Sequence, residues 1–150
     1  MRERTIVREQ MARDLMDVYR KVVADCPMGT TQTEVYQKVV HHPAPRFYVD
    51  PRRAHMRISP MMRGDLSKLK ALSPLKQQMY MDLYEKVMEL SQKKGFWRKS
   101  LYFILKDAVL QPAPRFYINA TRMGQIWQEK TVETRQQRMR LCKSHEKRND

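Results

Sequence analysis

The residues that could do chemistry in this chain are few, and their spacing narrows what that chemistry is. Cys26, His41, His42 and His55 are the one group of metal-type ligands close in sequence, and none of their spacings is that of a zinc site. Tyr48 and Tyr117 carry hydroxyls of the kind that cleave DNA, but no base or metal ligand beside them in sequence activates either one. A phosphate-cradling loop needs clustered glycines, and the chain has four in 150 residues. No catalytic residue, metal or cofactor is therefore assigned, and the expectation is a protein that is not an enzyme.

Arginines are a different matter. Arg46 and Arg115 each stand just before an expected helix, where a guanidinium can clamp a backbone phosphate or cap the carbonyls of the preceding helix. Arg52, Arg53, His55 and Arg57 project at successive angles from one such helix, and Thr121, Arg122 and Gln125 from another. Arginine is the usual reader of guanine and glutamine of adenine. Arg138 and Lys143 belong to a basic C-terminal stretch suited to phosphate contact. The candidate nucleic-acid-binding residues are thus Arg46, Arg52, Arg53, Arg57, Arg115, Arg122, Gln125, Arg138 and Lys143.

The elements that must hold these residues come as a pair. Pro43-Ala44-Pro45-Arg46-Phe47-Tyr48 recurs as Pro112-Ala113-Pro114-Arg115-Phe116-Tyr117, too long a match for chance in so short a chain. Upstream, Val35, Val39 and Val40 correspond to Ile104, Ala108 and Val109. Asp17-Val18-Tyr19 resembles Asp82-Leu83-Tyr84 at an offset of 65 rather than the 69 of the corner, which places four extra residues in the second copy near Lys93-Lys94-Gly95-Phe96. Each copy reads as helix, helix, proline-rich corner, helix.

In the first copy, Val7, Met11, Leu15, Val18 and Val22 trace one helical face. Thr31 with Glu34 is a capping box for a short helix that stops at Pro43. Asp50-Pro51 opens the third helix, which Ser59-Pro60 ends or bends. In the second copy, Ser73-Pro74 opens a helix closed at Gly95, Trp97 to Leu110 forms the next, and Asn119 caps a long last one. The expected fold is all-α, with tandem helix-turn-helix-like units at residues 1–59 and 74–129, a linker at 60–73, and a helical or disordered basic tail at 130–150.

Charge follows the same division. The net charge is +14 at a pI of about 10.1. The first helix of each copy is nearly balanced. Residues 43–70 carry seven basic and two acidic residues, and residues 130–150 carry seven and three. A core-forming part is thereby separated from a part facing a polyanion. No apolar run approaches the ~20 residues of a membrane span, the N-terminus has no signal-peptide stretch, and two isolated cysteines fit free thiols in a reducing cytoplasm.

The Pro-Ala-Pro-Arg-Phe-Tyr phrase followed by a capped helix resembles small basic proteins encoded by bacteriophages and other bacterial mobile elements. The likeness covers the two corners and adjoining helices, about 50 residues by the repeat boundaries above. It implies a DNA-associated role in regulation, packaging or genome condensation, in the cytoplasm, nucleoid or virion. The expected activity is duplex DNA binding by two helix-turn-helix-like units with half-sites one helical turn, ~10 bp, apart. The alternatives are a structural or packaging protein that contacts nucleic acid or an acidic protein surface without reading sequence, and an RNA-binding module.

Overall fold

The computed structural model describes residues 2–93 and 99–148, with side chains described for 6–93 and 99–142. All regular structure among them is helical: α1 (Arg2–Asp25), α2 (Gln32–His41), α3 (Pro51–Met62), α4 (Ser67–Lys70), α5 (Pro74–Ser91), α6 (Leu101–Ala108) and α7 (Ala120–Arg148).

Local chemistry sets the ends. The capping box forms: Thr31 Oγ1 accepts from the Glu34 amide at 3.2 Å, and Glu34 Oε2 accepts from the Thr31 amide at 3.3 Å. Asn119 Oδ1 accepts from the Arg122 amide at 2.8 Å and starts α7. Asp50 and Ser73 occupy N-caps with extended backbone but make no side-chain cap bond, so α3 and α5 start on the fixed φ of Pro51 and Pro74. The second helix of the second copy begins at Leu101, because Ser100 Oγ accepts from the Phe103 amide. Trp97 and Gly95, its expected start and the expected stop of the helix before, lie outside the described residues.

The expected linker is structured. Pro60 does not end α3, which carries it in its last turn and runs on to Met62. Gly64 follows with a φ of +82°, the left-handed conformation that favours glycine. Asp65 N–H bonds the Pro60 carbonyl and Gly64 N–H the Met61 carbonyl, a Schellman closure. Met61 and Leu69 then bury what a solvated linker would expose.

The packing departs from the expected units. Among the described residues α2 does not touch α3, and α6 does not touch α7. Instead α1, α2 and the start of α7 pack mutually, as do α5, α6 and α3. The helix-turn-helix packing expected inside each copy is therefore not made; each pair of helices takes its third member from the other copy. The cause is the corner. Pro43 and Pro45, like Pro112 and Pro114, keep the chain extended, so it runs past its own helix pair rather than folding back.

The two corners cross at the centre. Ala44 and Ala113 exchange both amide–carbonyl bonds at 2.9 Å. The Phe47 amide donates to the Val109 carbonyl and the Phe116 amide to the Val40 carbonyl, so these buried backbone groups are paired between copies. Phe47 and Phe116 are wholly buried. Phe47 stacks on Tyr117 at 6.1 Å and Phe116 on Tyr48 at 5.8 Å, ring centroid to ring centroid.

Candidate nucleic-acid interface

Beside the crossing lies a cavity of about 820 Å³, formed by the N-terminal half of α1 and the starts of α3, α5 and α7. Arg52 and Arg53 reach it from the first turn of α3, and Arg122 from the first turn of α7. These three of the expected ligand residues are brought together. Arg8, Lys76 and Lys130 join them, and sequence reasoning missed all three. Arg8 and Lys76 sit on charge-balanced helices that gave no local signal. Lys130 was legible in principle, since Arg122, Ile126 and Lys130 share one helical face at spacings of four. Six cations thus stand against the carboxylates of Glu9, Asp50 and Glu129.

The cations are not equivalent. Arg122 Nη1 lies 3.6 Å from Glu129 Oε1 and donates to Gln125 Oε1 at 3.2 Å, so both its charge and the acceptor of Gln125 are partly engaged. Lys130 Nζ pairs with Glu133 at 3.2 Å. Arg53 is exposed.

The remaining expected residues sit elsewhere. Arg46 and Arg115 are half-buried, and each donates Nε to the carbonyl of the following phenylalanine, at 3.2 and 3.1 Å. Arg115 also bonds the Ile118 carbonyl and approaches His41 Nε2 at 3.4 Å. Each guanidinium thus braces its own corner, and Arg46 further lies over the Tyr48 ring at 5.8 Å. Arg57 is half-buried beside Tyr80 and does not line the cavity. Arg138 is exposed on the distal part of α7; the side chain of Lys143 lies outside the described residues.

Tyr48 and Tyr117 border the cavity, and their hydroxyls donate to Asp14 and Asp82 at 2.5 Å. Burial, reinforced by the adjacent carboxylate, pushes both phenols well above the usual tyrosine range, with Arg46 and Arg115 acting weakly in the other direction. This holds them protonated, the reverse of an activated nucleophile. The pairing also corrects the repeat register. The partner of Tyr48 is Asp14, not Asp17, which pairs with Arg20 on the surface. Residues three apart share a helix face, so similarity alone matched α1 and α5 one turn out of step.

No protein-family model, curated protein or solved structure matches the chain.

The tyrosines give a test of this geometry. Burial also raises the Tyr80 phenol, opposed by Arg57. A group whose folded pKa exceeds its unfolded value keeps its stabilising contribution below the unfolded pKa. That contribution is lost as pH rises from there towards the folded pKa. The contributions of Tyr48 and Tyr117 should therefore fade progressively as pH rises above ~10. Phenolate absorbance followed against pH should show Tyr48 and Tyr117 ionising only as the helical circular dichroism is lost. Ionisation of all seven tyrosines ahead of unfolding would contradict the Tyr–Asp pairing.

Proposed function

We propose that this chain is a non-enzymatic duplex DNA-binding protein, built from two duplicated helical units that exchange their third helices across the corners. The observation that carries the reading is the convergence of Arg52, Arg53 and Arg122, with Arg8 and Lys76, on one face of a protein of net charge +14. A basic face drawn from several elements matches a run of phosphates.

The same observation shapes the mode of binding. Half-sites one helical turn apart would need the starts of α3 and α7 about 34 Å apart. Both instead border one cavity of about 820 Å³. The footprint is accordingly single and continuous. Charges spread over α1, α3, α5 and α7, rather than striped along one protruding helix, also favour the second reading, a packaging or condensing protein that tolerates any sequence.

Three measurements test this. Arg53→Ala should weaken duplex binding more than Arg122→Ala, because Arg122 already spends part of its charge on Glu129. A loss equivalent to ~1–3 kcal/mol marks a base contact, and less than ~1 a single phosphate. Equal, negligible losses with both variants folded would remove this face from the interface. Deleting residues 143–150 should weaken binding to all sequences alike and leave thermal stability unchanged, as phosphate contacts do. A selection from random duplexes that enriches one motif would favour the regulator; an unenriched pool favours packaging.

A further inference from the structure

The cavity between the helix starts is two-sided in chemistry. Its rim carries six cations against three carboxylates, those of Glu9, Asp50 and Glu129. Its walls are aliphatic: Val7 and Met11 from α1, Met56 from α3, Met79 from α5, Ile118 and Ile126 around α7. A double helix laid across the rim would reach the cations and leave these walls untouched. At about 820 Å³ the space has the size that encloses a small organic ligand. Methionines make its walls adaptable to a flexible chain. Tyr48 and Tyr117, bordering the same space, already spend their hydroxyls on Asp14 and Asp82.

We propose that this cavity binds a small amphipathic anion, an unbranched aliphatic chain ending in one carboxylate or phosphate-type head. The chain lies against the methionine and isoleucine walls and the head meets Arg53 and Lys76 at the rim. Because Arg52, Arg53 and Arg122 also belong to the nucleic-acid face, the ligand displaces DNA; this second part rests on the proposed function, and the binding itself does not.

The test uses the full chain and decanoate, titrated by calorimetry. A saturable heat with one site per chain is expected. Decan-1-ol, which lacks the charge, should bind about tenfold more weakly, and acetate, which lacks the chain, more than about a hundredfold more weakly, given the free energy of burying each methylene. Arg53→Gln should weaken decanoate about fivefold, the worth of one partly exposed ion pair, and leave decan-1-ol unchanged. Met56→Asp, at a position exposed enough to spare the fold, should weaken both. No saturable heat, equal binding of decanoate and decan-1-ol, or an unaltered Arg53→Gln variant with native circular dichroism overturns the proposal. Co-sedimentation with phosphatidylglycerol vesicles at strength equal to that for decanoate would also overturn it, since the rim alone would then be recognising an anionic surface. Finally, saturating decanoate should lower affinity for a duplex. If decanoate binds and the protein shows no affinity for any duplex, the DNA reading fails and the cavity stands; if DNA binds and decanoate does not, the reverse holds.

Discussion

Affinity for a mixed-sequence duplex should fall by ~10³–10⁵ between 50 and 200 mM salt if the basic face engages about 6–10 phosphates. Each phosphate neutralised releases condensed counterions, so the logarithm of the binding constant falls with the logarithm of salt at a slope near 0.9 per contact. The cavity rim offers six cations, and the distal part of α7 adds Arg135, Arg138 and Arg140, all exposed. At the rim, Arg122 pairs with Glu129 and Lys130 with Glu133. Each must give up part of that pairing to meet a phosphate, which moves the expected slope toward the lower end. Fluorescence anisotropy at four or five salt concentrations measures it directly. A slope near zero would remove nucleic acid as the main partner and leave an acidic protein surface as the alternative.

The second large effect is on stability. Phe47→Ala or Phe116→Ala should each cost ~3–5 kcal/mol, the range for a large aromatic removed from a core. Both rings are wholly buried and each stacks on a tyrosine from the opposite corner, so one deletion loosens both halves. Against a domain stability of ~5–15 kcal/mol, the double variant should lose about 6–10 kcal/mol and most of its folded population. Tyr48→Phe is the informative control. It keeps the stack and the burial but removes the Tyr48 bond to Asp14, leaving that carboxylate only the Gln10 side-chain amide, at an expected ~1–3 kcal/mol. Denaturant titration of the three single variants should rank the phenylalanine deletions first. A Phe47→Ala chain as stable as the parent would show that the crossing corners are a connector and do not hold the halves together.

Much of the secondary structure was legible because its signals are short. Thr31 with Glu34, Asn119 with the Arg122 amide, and prolines at Pro51 and Pro74 each act within one helical turn, and their partners are near in sequence. The apolar spacing of α1 likewise identified Leu15 and Val18 as buried. Pro60 lies inside α3, and the stop belongs to Gly64.

What residue types by themselves determined, then, is an all-helical chain with proline-stiffened corners and a strong positive charge outside its first helices. Which helices pack together was decided by tertiary structure, since the direction taken by an extended corner depends on groups about 70 positions away, such as Ala113 for Ala44 and Val109 for Phe47. The choice of Asp14 over Asp17 was decided there too: both are acids on neighbouring turns of α1, and only the height at which Tyr48 meets the helix selects one. The basic cavity is non-local in the same way. Arg8 and Lys76 belong to helices with no local excess of charge, and it is the packing of α7 on α1 and α2 and of α3 on α5 and α6 that sets them beside Arg53 and Arg122.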